Sequence, residues 1–252
     1  NPKLADWRGQ RVWLIGASSG IGEATARLLM ARGARVALTS RSLDALTALA
    51  DGNAHVAPAD VTDRASLGAA FERICAALGG IDVAIVNAGT HQPVRAWALD
   101  AVAAEKLVQV NLVGAMNVSA LLAPYFAQSG GGRLAITASV AGYGGLPTGL
   151  VYGATKAALI NFAETLYLDL APRGVAVHLI NPGFVKTPLT DLNEFKMPAL
   201  IGADEAAREI LAGIERGAFE IHFPRRFSRV LKLLNLLPYR LYFPLVHRIT
   251  GL

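Results

Sequence analysis

The apolar run Arg11-Val12-Trp13-Leu14-Ile15 leads straight into Gly16-Ala-Ser-Ser-Gly20-Ile-Gly22, and residues 23–31 then have a helix-forming composition. A strand that turns on glycines into a helix lets backbone come close to whatever sits over the turn. The first N–H groups of the helix point at that place and carry the positive end of its dipole, so an anionic group such as a pyrophosphate is the natural occupant. The spacing is Gly-x3-Gly-x-Gly, not the G-x-G-x-x-G of the general nucleotide fingerprint.

Short apolar runs alternate with helix-like stretches downstream. Residues 35–39, 54–57, 81–86, 133–138, 175–180 and 219–223 read as strands, and 66–78, 101–126 and 149–170 as helices. This alternation predicts a parallel sheet covered on both faces, a single α/β domain over residues 1–224. Pro224 ends the last strand. With 53% hydrophobic residues the chain can bury a large core and is not disordered. Its one cysteine, Cys75, forms no internal disulfide, fits a reducing, cytoplasmic setting and reads as helix packing. Residues 1–9 are polar and show no secretory signal. No His, Cys or carboxylate cluster has metal-ligand spacing, so no metal is expected.

Lys156 lies four residues after Tyr152, and Ser139 thirteen before it. Residues i and i+4 share a helix face. A phenol has a pKa of ~10 and is a poor acid–base group at neutral pH. A nearby ammonium favours the phenolate. The second strand ends in Thr39-Ser40-Arg41-Ser42, with no carboxylate to repel a ribose 2′-phosphate. Arg41 offers a planar, charge-assisted fork to such a phosphate, and Ser40 a hydroxyl, which points to NADP(H) over NAD(H).

Gly16-x3-Gly20-x-Gly22, Asp60-Val61, Asn87-Ala88-Gly89, Asn111, Ser139, Tyr152-x3-Lys156 and Asn181-Pro182-Gly183 with Thr187 resemble, in order, the motifs of the classical short-chain dehydrogenase/reductase family over residues 10–223. The resemblance implies a Rossmann-like, doubly wound parallel sheet. It also implies hydride transfer between a nicotinamide cofactor and a ketone or aldehyde, or the reverse with an alcohol. Tyr152 would be the general acid, and Ser139 would polarise the carbonyl. Lys156 would bind the nicotinamide ribose and lower the tyrosine's pKa, while Asn111 would support a proton relay. Ser18, Ser19 and Ile21 would lie in the pyrophosphate loop, and Asp60 and Val61 would hold the adenine. Asn87, Ala88 and Gly89 would let backbone pass close to the cofactor. Pro182, Gly183, Val185 and Thr187 would contact the nicotinamide amide and phosphate. Ile15 departs from the family's usual Thr and loses a hydroxyl that braces the loop. Tyr143, Leu146, Pro147 and Phe184 are expected to line a mostly apolar substrate pocket. His91 could edge it, and His178 reads as structural. The segment 188–202 is short, which predicts an open or shallow lid able to admit a long or bulky molecule.

Residues 225–252 depart most from the family. They hold six Lys or Arg and no acidic residue, so the chain's net charge of +5 resides there and the body offers no basic surface for nucleic acid. Drawn as a helix, 225–237 puts Arg225, Ser228, Arg229, Lys232 and Asn235 on one side and Phe227, Val230, Leu231, Leu234 and Leu237 on the other. Pro238 and Pro244 follow among Tyr239, Tyr242 and Phe243. A basic amphipathic extension of this kind suits peripheral contact with a membrane surface, and no run in it is long enough to span. The competing reading is packing against the body or across a dimer. The substrate class this favours is hydrophobic or lipid-like. Two alternatives stand: a 3-oxoacyl carrier-protein reductase, whose acidic carrier would meet the tail, and a non-catalytic nucleotide-binding sensor, which predicts loss of a catalytic residue. The resemblance also implies a homodimer through the helices carrying Asn111 and Tyr152, and the altered C-terminus argues against a tetramer.

Overall fold

A computed structural model describes residues 1–251 apart from Glu194 and Lys196. Among the described residues, seven parallel strands form one sheet in the order β3-β2-β1-β4-β5-β6-β7. They are β1 (Arg11–Ile15), β2 (Arg35–Thr39), β3 (Ala54–Val56), β4 (Val83–Val86), β5 (Gly132–Thr137), β6 (Val175–Pro182) and β7 (Glu220–Phe223). The helices are α1 (Gly20–Ala31), α2 (Leu43–Ala50), α3 (Arg64–Leu78), α4 (Ala101–Val108), α5 (Gly114–Gln128), α6 (Leu150–Leu170), α7 (Ala203–Glu215), α8 (Arg225–Asn235) and α9 (Tyr239–Thr250). The sheet is Rossmann-like and doubly wound, as the alternation predicts. Its order reverses between β1 and β4, and such a switch point opens a crevice at the strands' C-terminal ends.

Side chains alternate across each strand and feed two separate cores. Trp13 and Ile15 face Leu67 of α3, Leu122 of α5 and Leu159 of α6. Val12 and Leu14 face Leu29 of α1, Leu46 of α2 and Ile210 of α7. His178 is buried in β6 and donates from Nδ1 to the Ala218 carbonyl at 2.6 Å. Burial pushes its pKa down to about 4, so the ring stays neutral in a structural role. Cys75 packs against the first core.

Residues 101–128 run as one helix, but a π-turn at Gln109–Val113 interrupts it and holds Asn111. By length and apolarity this helix could cross a membrane. Val118, Leu122 and Phe126 instead bury its inner face in the core. The C-terminal helices lie against β7 and the loop after Ser139. Ser228 is fully buried, and its Oγ shares a 2.6 Å bond with His222 Nδ1. Tyr242 donates to the Gly145 carbonyl at 2.7 Å.

Candidate active site

The C-terminal ends of the strands surround a groove of about 460 Å³. One end is the glycine turn. Gly16 has φ +87°, and its amide donates to the Thr39 carbonyl at 2.7 Å. A Cβ at Gly16 would collide with the Ala88 backbone, so the turns after β1 and β4 can touch only with glycine there. Asn87 ties them further by donating from Nδ2 to the Gly16 carbonyl at 3.2 Å. Ser19 begins α1 in extended conformation, and its side chain makes no capping bond. Ser18, Ser19, Gly20 and Ile21 line the groove, while Gly22 packs behind them against the Gly16 carbonyl.

Ser40 and Arg41 border the same end, next to Asp60 and Val61. Burial acts to raise the Asp60 pKa, but bonds from the Thr62 amide and hydroxyl, with the nearby Arg41 charge, hold it below the ordinary carboxylate value. The opposite wall carries Asn87, Ala88, Gly89, Pro182, Gly183, Val185 and Thr187.

Ser139, Tyr152 and Lys156 converge on this groove. Ser139 starts the turn after β5, where its Oγ accepts from the Ala141 amide at 3.1 Å and donates to the Pro182 carbonyl at 3.3 Å. Lys156 is 4% exposed. Its Nζ donates to the Thr137 carbonyl at 3.0 Å and lies 5.6 Å from the centre of the Tyr152 ring. Burial pushes the ammonium pKa down to about 8. Burial also pushes the Tyr152 phenol above its usual value, and the Ser139 hydroxyl opposes this without reversing it. The ammonium is itself weakened by burial, donates to a carbonyl and lies over the Tyr152 ring.

Asn111 is fully buried and accepts from the Thr90 amide at 2.7 Å through Oδ1. Its Nδ2 donates to the Thr90 carbonyl at 2.9 Å and Thr155 Oγ1 at 3.3 Å. It therefore clamps the turn after β4 to α6 from behind the groove. Gly89 lies between Asn111 Oδ1 and Lys156 Nζ, and an added Cβ would sit within 3.4 and 3.6 Å of them.

The four residues assigned to a substrate pocket do not line this groove. Tyr143 turns to the tail, because a half-buried phenol needs a partner: its hydroxyl donates to Glu220 Oε1 at 2.6 Å, and Lys232 sits over its ring. Phe184 lies 5.6 Å from both Phe195 and Phe227, in an aromatic cluster between the lid and α8. Leu146 and Pro147 stay half-buried in the loop that Tyr242 holds. The lid segment is tied down: Asn193 bonds His91 Nε2 at 3.1 Å, and the His91 ring packs edge-on to Tyr152 at 4.6 Å.

Sequence reasoning missed Lys106 and Val110, which line the groove together. Their spacing of four on one helix was the available signal. It also missed Glu220, whose carboxylate accepts from Tyr143, Asn181 and Lys232.

A cleft at the switch point, with a glycine turn at one end and a Ser, Tyr and Lys group at the other, defines an oxidoreductase of nicotinamide type. The residues fit such a cofactor, because the turn admits close backbone approach only as glycine and the Ser19 side chain makes no capping bond to the α1 N-terminus. The short chain dehydrogenase family profile matches residues 10–196, and the chain belongs to this family. It is 34% identical over 246 residues to an uncharacterized oxidoreductase of Myxococcus xanthus, covering 95% of this chain and 97% of that one. It is 33% identical over 218 residues to the 3-oxoacyl-[acyl-carrier-protein] reductase FabG of Thermotoga maritima, covering 84% and 85%. Its structure superposes on a short-chain dehydrogenase from Sphingobium yanoikuyae in complex with NADPH with a TM-score of 0.79, at 28% identity, covering 91% and 97%.

Proposed function

We propose that this protein is an NADP(H)-dependent reductase of ketones or aldehydes, working on hydrophobic substrates. The observation that carries the reading is the meeting of Ser139, Tyr152 and Lys156 in a groove whose far end holds Arg41 with no carboxylate from β2 beside it. When bound, the dihydronicotinamide supplies hydride to the carbonyl carbon. Tyr152 gives its proton to the carbonyl oxygen as negative charge grows there, completing the alcohol. A phenol held protonated by burial suits this direction. Ser139 hydrogen-bonds the same oxygen and orients it. Lys156 holds the nicotinamide ribose hydroxyls, and Asn111 keeps the turn carrying Gly89 against the lysine. Arg41 and Ser40 bind the 2′-phosphate, which is the basis for NADPH over NADH. The aromatic residues Phe184, Phe195 and Phe227 beside the lid support an apolar substrate.

The carrier-protein alternative is favoured by the exposed arginines of α8 and α9 and, weakly, by the 33% identity to a 3-oxoacyl-[acyl-carrier-protein] reductase. It predicts that neutralising them slows carrier-linked substrates far more than free ones.

The test is oxidation of NADPH and NADH with ketones of increasing alkyl length, by the parent and by Tyr152→Phe. Efficiency should favour NADPH and rise with chain length. Tyr152→Phe should lose about 10²–10⁴-fold in kcat while still binding NADPH. Turnover surviving in the Phe variant would end the general-acid assignment. Best activity on short polar ketones would end the hydrophobic-substrate reading.

A further inference from the structure

We infer that α8 and α9 form a docking surface for an anionic lipid bilayer. A helix that packs on a protein body ordinarily turns its apolar stripe inward. α8 does so only in part. Its inner side mixes half-buried Phe227, Leu231 and Leu234 with Ser228, which is buried against His222 and the Pro224 carbonyl, and Lys232 pairs with Glu220. These contacts fix the rotation of the helix. They leave Val230, Leu233 and Leu236 outward at 52%, 64% and 79% exposure. Arg226 and Arg229, exposed and one turn before Val230 and Leu233, put cations on the same outward side. On α9, only Tyr242 and Val246 are buried. Tyr239 and Phe243 stack at 5.3 Å and are exposed, as is Ile249.

Apolar and aromatic side chains mixed with arginines, and no acidic residue from 225 to 252, are complementary to an anionic bilayer surface. An apolar protein partner would gain nothing from the cations, and an acidic protein would gain nothing from the leucines. The surface also adjoins the mouth of the groove. Tyr242 holds the loop after Ser139, and Phe227 packs on Phe184 beside the lid. Docking therefore places the entrance at the bilayer, and this delivery role rests on the hydrophobic-substrate reading.

The test is co-sedimentation of the full chain with phosphatidylcholine vesicles, with and without phosphatidylglycerol, at low and high salt. The parent should sediment with the anionic vesicles and be released by salt. The double substitution Leu233→Glu/Leu236→Glu should cut partitioning about tenfold or more and leave turnover of a water-soluble ketone unchanged. A parent that stays in the supernatant at low salt overturns the proposal. So does partitioning indifferent to the double substitution. Gel filtration showing that the double variant is a smaller oligomer than the parent would assign the face to a second copy instead. Loss of ketone turnover with vesicle binding intact would count against the reductase reading alone.

Discussion

A lysine ammonium at 4% exposure is an unfavourable group to fold around, and Lys156 makes that cost measurable. Its pKa falls from 10.5 to about 8 because burial penalises the charged form. The folded protein thus binds fewer protons here than the unfolded chain between those values. The penalty is full below about pH 8 and is relieved as pH rises towards 10.5. Its size is of order 3 kcal/mol, from about 1.4 kcal/mol per pKa unit. Lys156→Met should therefore abolish turnover yet raise the Tm of the cofactor-free protein by several degrees at pH 7. That gain should narrow between pH 8 and 10 in a thermal melt series. A variant that melts lower at pH 7 would mean that the bond to the Thr137 carbonyl outweighs the burial penalty.

The elements are joined at one carboxylate. Glu220 of β7 receives Tyr143 from the loop after Ser139, Asn181 from β6 and Lys232 from α8. Burial acts to raise its pKa, but the bonds from these three residues outweigh it and hold the carboxylate below its usual value of 4.5. With the folded pKa depressed, this stabilisation is present above about pH 4.5 and is lost as pH falls through the folded pKa. Glu220→Gln keeps the shape and removes the charge. Hydrogen exchange should then quicken across α8 and α9 while β5 and β6 stay protected. Unchanged exchange in the tail would mean that Ser228 and Tyr242 suffice to hold it. None of this junction was legible in the sequence, since Tyr143 and Glu220 are 77 residues apart and no motif marks either. The amphipathic pattern of α8 was visible. Which side meets the body was not, because that depends on buried partners from β7.

Across the whole molecule, the sheet was legible because strand–helix alternation and a glycine turn are local signals. Gly16, Asn87 and Asn181 sit at strand ends, and a parallel sheet brings strand ends to one edge. The π-turn at Asn111 was not legible, because its residues have the composition of any helix. Tyr143 and Phe184 lie outside the groove for a related reason: they are near the catalytic residues in sequence, but their rings find partners in Glu220, Lys232 and Phe227. A homodimer through the helices carrying Asn111 and Tyr152, which the family resemblance implies, would have to cover Leu168 of α6, which is 71% exposed, and Met116 of α5, also exposed. Met116→Glu/Leu168→Glu should convert a dimer to a monomer in light scattering. Unchanged mass would exclude this face.

The switch point also acts as a ruler. Arg41 follows β2 and Ser139 follows β5, and the sheet order sets three strand-to-strand steps between them. At ~4.8 Å per step the ends of the groove stand about 14 Å apart. That separation is fixed by backbone hydrogen bonds, which side-chain substitution cannot stretch. A half-length fragment can hold one end only. Joining two such fragments makes the second encounter intramolecular, at an effective concentration of about millimolar for a short flexible link. The groove therefore selects its occupant by length before any single contact selects it by chemistry.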